Sequence, residues 1–136
     1  MLVSTKGRYA LRIMLVLAQE EPQAYIPLLQ IAQQESISEK YLESIVAILV
    51  KAGMVEGLRG KKGGYRLSRP AGEYTVDQIL RLTEGTLAPV TCLEGEENGC
   101  PRAADCQTLP MWQHLDGLIH DYLDSVTLAD LLQQTL

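Results

Sequence analysis

The sequence predicts a mainly α fold with one small β-hairpin, on three observations. Six stretches repeat apolar residues at helical spacing, and one stretch near the middle alternates with period two around a glycine- and lysine-rich tip. Ser, Thr or Pro opens most of the helical stretches, and Gly follows two of them. These are the marks of amphipathic helices, of a hairpin, and of helix punctuation.

The first helix is expected from Ser4 or Thr5 to about Gln19, with Ala10, Ile13, Met14, Leu17 and Ala18 on its inner face. Lys6, Arg8 and Arg12 sit in its first half, where cations oppose the helix dipole, so an external anion explains them better than helix stability does. A break at Glu21-Pro22-Gln23 precedes a second helix, opened by Pro27 and running to about Gln34, with Leu28, Ile31 and Ala32 inward. After a turn at Glu35-Ser36-Ile37, Ser38 caps a third helix to about Ala52, whose Leu42, Ile45, Val46 and Leu49 repeat at i, i+3, i+4 and i+7. Two short helices joined by a three-residue turn, after a packing helix, make a helix-turn-helix.

Gly53 ends the third helix, and the period changes. Val55–Arg59 and Tyr65–Ser68 are short alternating runs around Gly60-Lys61-Lys62-Gly63-Gly64, which reads as a hairpin with Arg59, Lys61 and Lys62 at its tip. A nucleotide phosphate loop is the rival, but it needs Gly-Lys followed by Ser or Thr and then a helix, and neither follows here. Thr75 caps a fourth helix that ends at Gly85, with Val76, Ile79, Leu80 and Thr83 on one side. Pro110 opens a long helix to about Leu123 whose Trp112, Leu115, Leu118, Ile119, Tyr122 and Leu123 form one stripe, better matched by a partner's helix than by the same chain. A last short helix, capped at Thr127 and carrying Leu128, Leu131 and Leu132, is expected to pack on it. The expected organisation is residues 1–85 as a winged helix-turn-helix, 86–109 as a cysteine-containing sensor loop, and 110–136 as a dimerisation helix with a short C-terminal helix.

The charge is divided. Residues 1–72 carry ten Lys and Arg against six Asp and Glu, whereas 73–136 carry two against eleven. A basic front half suits phosphates and an acidic rear half does not. In a winged helix the third helix offers its first turns to the major groove and the hairpin lies along the backbone or in the minor groove. The candidate DNA-contacting residues are therefore Lys6, Arg8, Ser38, Glu39, Lys40, Tyr41, Glu43, Arg59, Gly60, Lys61, Lys62 and Tyr65. Use of the same fold as a protein-interaction module is the alternative.

All three cysteines, Cys92, Cys100 and Cys106, lie within fifteen residues rich in Gly and acid. No apolar run long enough to span a membrane and no export signal is present, so a reducing, cytoplasmic setting is expected, where a structural disulfide framework is not. Three thiols on such a loop are candidate ligands for a metal or a redox event. The spacing is not the paired two-residue spacing of structural zinc, though zinc stays among the alternatives, as does a reversible thiol sensor. No enzyme constellation competes, because His114 and His120 both fall on the long helix and no Ser, His and Asp set can be placed in a pocket.

At this point the chain resembles the Rrf-type bacterial winged-helix regulators, the IscR/NsrR/CymR-like family. The resemblance covers nearly the whole chain. It rests on Ser4-Thr-Lys-Gly-Arg-Tyr-Ala-Leu-Arg, on Ile37-Ser-Glu-Lys-Tyr-Leu-Glu, on Gly53-Met-Val with Arg59-Gly-Lys-Lys-Gly-Gly-Tyr-Arg-Leu, and on the three cysteines followed by Trp112 and Val126-Thr-Leu. It implies a homodimer on a palindromic DNA operator, contact between long helices and, as in the three-cysteine members, an iron-sulfur cluster, [2Fe-2S], held by Cys92, Cys100 and Cys106. In those members five residues separate successive cysteines and a histidine follows the third by three positions. Here the separations are seven and five, and Leu109 stands in the histidine's place. The fourth ligand is unassigned, with His114, Asp105, Glu94, Glu96, Glu97 or a residue of the other subunit as candidates. The resemblance also leaves open a cluster-free regulator controlled by a partner protein or by thiol oxidation.

Overall fold

The computed structural model describes residues 3–19, 24–95, 97 and 99–136. The expected break at Glu21-Pro22-Gln23 and the ligand candidate Glu96 lie outside the described residues. The chain forms α1 (Thr5–Gln19), α2 (Leu28–Glu35), α3 (Glu39–Lys51), β1 (Val55–Leu58), β2 (Gly64–Leu67), α4 (Val76–Glu84), α5 (Leu109–Ser125) and α6 (Leu128–Gln133), with single 3-10 turns at Ala71–Glu73, Thr91–Leu93 and Ala103–Asp105. It is mainly helical with one antiparallel hairpin, as the periodicity indicates.

Local chemistry sets the helix ends. Ser38 accepts a hydrogen bond from the Tyr41 N–H, satisfying one of the donors that a helix start leaves open. Thr75 with Gln78, and Thr127 with Asp130, form reciprocal capping boxes on α4 and α6. Ser36 closes α2 in the left-handed conformation, at φ 56° and ψ 42°. That residue turns the chain between the two helices of the helix-turn-helix.

Ile13, Met14, Ile31, Leu42, Ile45, Leu49 and Ile79 are fully buried around α1. The hairpin is tied to this core at both ends. In its register Val55 faces Leu67 and Leu58 faces Gly64. The linker before α2 adds a further bridge, with the Ile26 N–H donating to Tyr65 O at 2.8 Å and the Tyr65 N–H to Ile26 O at 2.9 Å. At the base, buried Tyr74 donates its hydroxyl to Met54 O and accepts from the Arg69 N–H. The wing therefore leaves the core in a fixed direction.

The C-terminal segment corrects one expectation. The last helix was expected to sit on the long helix, but Leu128 is fully buried in the core around α1. The backbone carries it there. The Val76 N–H donates to Val126 O and the Leu128 N–H to Tyr74 O, so the chain before α6 pairs with the entry to α4. Leu131 meanwhile joins a second cluster with Val76, Leu80, Leu87, Val126, Ile119 and Leu123, so α6 touches both neighbours.

The single stripe expected on α5 also divides in two. Trp112, Asp116, Ile119 and Leu123 are half-buried, and Ile119 and Leu123 pack on the second cluster. Met111, Leu115, Leu118 and Tyr122 follow the same i, i+4, i+7, i+11 spacing one position earlier, and they are 54, 37, 53 and 59% exposed. Helical spacing defines an apolar sector but not which edge of it the same chain covers.

Candidate nucleic-acid interface and cysteine segment

The cations sort into two groups. Arg12, Arg66 and Arg81 are engaged by carboxylates of Glu35, Glu56 and Asp77 at 2.9 to 3.0 Å. No ion pair among the described residues involves Lys6, Arg8, Lys40, Lys51, Arg59, Lys61 or Lys62. The reading of Arg12 as a cation kept for an external anion is corrected, because Glu35 takes both its Nε and, through the backbone carbonyl, its Nη2. Lys6 is half-buried and Arg8 exposed at the start of α1, where Arg8 Nη2 lies 3.5 Å from Thr5 Oγ1.

Arg59, Gly60, Lys61 and Lys62 are all exposed at the hairpin tip. Gly60 has φ +109°, which L side chains rarely adopt, and a Cβ on Gly63 would collide with Leu58 O. The tight tip therefore depends on glycine at both positions. Tyr65 follows the tip in β2 and lines the hollow between α3 and the hairpin. It is half-buried, pairs with Ile26 and packs against the main core.

On α3, Ser38, Glu39, Lys40, Tyr41 and Glu43 are exposed. Ser44, Ala47, Val50 and Lys51 of α3 are exposed as well. Ala47, Val50 and Lys51 line one groove of about 750 Å³ with Leu58, Arg59, Gly60 and Gly63. That groove puts the outer side of α3 and the wing on a common face, with Lys51 and Arg59 at its walls.

The cysteine segment leaves α4 and enters α5. Cys92 and Cys100, both half-buried, line one hollow of about 400 Å³ with Thr91, Gly95, Glu97 and Gly99. Cys106 is not among the residues lining it. Its Sγ lies 3.3 Å from Thr108 Oγ1 at the start of α5, and that hydroxyl, followed by the Thr108 backbone, holds the thiol below its ordinary range. Glu94 lines a neighbouring hollow with Glu84 and Thr86. Asp105 is exposed in the turn before Cys106, and His114 is exposed on α5.

A [2Fe-2S] core takes about four protein ligands, and tetrahedral zinc takes the same number. Among the described residues no group of three or more His, Cys, Asp and Glu stands together as a metal site. The described residues therefore do not by themselves gather the donor set of a cluster or a zinc ion within one subunit. The residues the fold does bring together are Cys92 and Cys100.

His120 has a different role. Its Nδ1 lies 3.0 Å from Oδ2 of buried Asp77, which also accepts from Arg81 Nε at 2.9 and 3.0 Å. With the hydrogen bond from Thr75 Oγ1 to Asp124, this ties α5 to α4.

Comparison with known proteins agrees with this geometry. Residues 3–134 match the Rrf2 family, described as an iron-dependent transcriptional regulator. The HTH-type transcriptional regulator CymR of Bacillus subtilis is 39% identical over 135 residues, covering 99% of this chain and 92% of that relative. The solved structure of CymR, the global cysteine regulator of B. subtilis, superposes with a TM-score of 0.80 at 38% identity, over 98% of both chains. That of T. potens IscR does so with a TM-score of 0.77 at 35% identity, over 100% of this chain and 89% of that one. These relatives are transcription regulators and not enzymes, and the hairpin is the wing of their winged-helix fold. No helix among the described residues is long and apolar enough to cross a membrane. The chain belongs to the Rrf2 family of DNA-binding transcription regulators.

Proposed function

We propose that this regulator binds a palindromic operator as a homodimer, with the exposed side of α3 in the major groove and the Arg59–Lys62 tip on the adjacent backbone or minor groove. The observation that carries this reading is the shared groove, which sets Ala47, Val50 and Lys51 of α3 beside Arg59 and Gly60 of the wing. The cations on that face have no carboxylate of their own among the described residues, so a phosphate backbone can take them. The exposed Met111, Leu115, Leu118 and Tyr122 line of α5 supplies the self-complementary apolar surface that a two-fold dimer requires. Footprinting on a duplex selected from a random pool tests the reading. Two symmetric protections centred about one helical turn apart, about 34 Å, are expected, and a single asymmetric protection contradicts it.

Control is assigned to the redox state of the cysteine segment. Cys92 and Cys100 share a hollow, so each thiol can give up one proton and one electron to a disulfide oxidant, forming one S–S bond as the oxidant leaves as two thiols. The segment joins α4 to α5, and a bond across it favours one placement of α5 over another. A signal acts only through such a difference between states. Operator affinity measured in reduced and disulfide-oxidised protein should differ, and Cys92→Ser and Cys100→Ser should each abolish the difference. Equal affinities of the two forms contradict this part of the reading, as does an undiminished difference in both variants, and direct attention to a partner protein.

A further inference from the structure

The first turn of α3 is held from outside α3. Tyr41, its third residue, is 37% exposed, yet its ring meets Tyr9 of α1 edge-on, with centroids 5.8 Å apart and planes at 69°. The Arg12 guanidinium lies over the Tyr9 ring at 5.1 Å. The same Arg12 donates Nε to Glu35 Oε1 at 2.9 Å and Nη2 to Glu35 O at 2.7 Å. Glu35 is the last residue of α2, and the left-handed Ser36 follows it. One helix, α1, therefore grips the end of α2 through Arg12 and the beginning of α3 through Tyr9.

The backbone of Tyr41 is committed as well. Its N–H donates to Ser38 Oγ at 3.2 Å, and its carbonyl accepts from Ser44 Oγ at 2.7 Å. The hydroxyl of Tyr41 meets no hydrogen-bond partner among the described residues. A side chain held at ring and backbone with its hydroxyl unpartnered among the described residues is prepared for an external acceptor, because the rotamer entropy of ordering it has already been lost on folding.

We infer that Tyr9 and Arg12 are positioning residues for DNA binding, fixing the α2–α3 turn and aiming the Tyr41 phenol at the duplex. The inference rests on the DNA-binding face proposed above. It separates Arg12 from the cations at the wing: Arg12 acts through Tyr9 and Glu35, and Arg59, Lys61 and Lys62 act on phosphate directly.

The test is affinity for the selected duplex as a function of salt, for the full-length protein. Tyr9→Leu removes the ring contact and should weaken binding about three- to tenfold, the range of an aromatic pair. The slope of log affinity against log salt should stay at the wild-type value, because no phosphate contact is lost. Tyr9→Phe keeps the ring and should stay within about twofold of wild type. Tyr41→Leu should weaken binding, and adding Tyr9→Leu to it should cost little more, since both act through one phenol. Arg12→Met, at a surface position, repeats the test should Tyr9→Leu fail to fold. Wild-type affinity in Tyr9→Leu and Arg12→Met overturns the inference, as does a fully additive Tyr9–Tyr41 pair, or a slope lowered by about one in Arg12→Met, the mark of a direct phosphate contact. The face itself is judged separately, by the wing-tip substitutions, so its failure and that of the clamp give different patterns.

Discussion

His120 of α5 and Asp77 of α4 meet at 3.0 Å between Nδ1 and Oδ2, and Arg81 donates Nε to the same carboxylate. The Asp77 side chain is 5% exposed and that of His120 is 49% exposed. Asp77→Ala removes, at a buried position, the carboxylate that meets both Arg81 and His120 and should lower stability by about 1–3 kcal/mol. His120→Ala leaves Arg81 on Asp77 and removes a contact at the surface, so about 1 kcal/mol or less is expected. Urea unfolding of the two variants checks the ordering, and an equal loss in both would show that the link between the helices carries the cost.

Leu128 is fully buried beside Ile13, Met14 and Ile79, far along the chain from all three. Leu128→Ala should destabilise the whole DNA-binding unit by about 2–5 kcal/mol. A single cooperative transition at a lower denaturant midpoint is the expected result. A separate early transition, with the remainder unchanged, would mean that α6 is an appendage.

The apolar line on α5 leads to a prediction about assembly. Leu118 and Tyr122 are 53 and 59% exposed in the single chain, so Leu118→Glu and Tyr122→Glu should leave the monomer folded while placing charge in the dimer contact. Sedimentation should show a monomer at concentrations where the wild type is a dimer, with weaker operator binding. Dimers as tight as the wild type would place the contact elsewhere.

Cys106 should ionise more readily than an ordinary cysteine. The Thr108 hydroxyl and then its backbone lower the Cys106 pKa from the ordinary 9.0. A lowered thiol pKa means more thiolate at neutral pH, so alkylation of Cys106 should reach half its limiting rate at a lower pH than for an ordinary cysteine. Thr108→Val removes the first cause, and the profile should move back up in pH. An unmoved profile would show that the hydroxyl is not responsible.

The features that were legible in the sequence are those written locally. Ser38, Thr75 and Thr127 each cap the helix expected of them, because a cap and its partner lie within one turn. The bridge from Ile26 to Tyr65, the insertion of Leu128 and the Asp77–His120 contact join residues far apart in sequence, and no short-range pattern encodes them. Arg12 illustrates the same limit. The helix dipole gave a sound reason to seek an anion for it, and the anion proved to be Glu35, brought near only by the packing of α1 on α2. For the cysteines, order along the chain named three donors, while the fold gathers two of them into one hollow.

The central claim is that α3 and the wing tip bind duplex DNA as one face. The most direct test is a salt titration of operator binding for wild type and for the Arg59→Ala, Lys61→Ala double variant. Each phosphate contact adds about 0.9 to the slope of log affinity against log salt. The account predicts weaker binding with a slope lower by about two. An unchanged slope at unchanged affinity would contradict it.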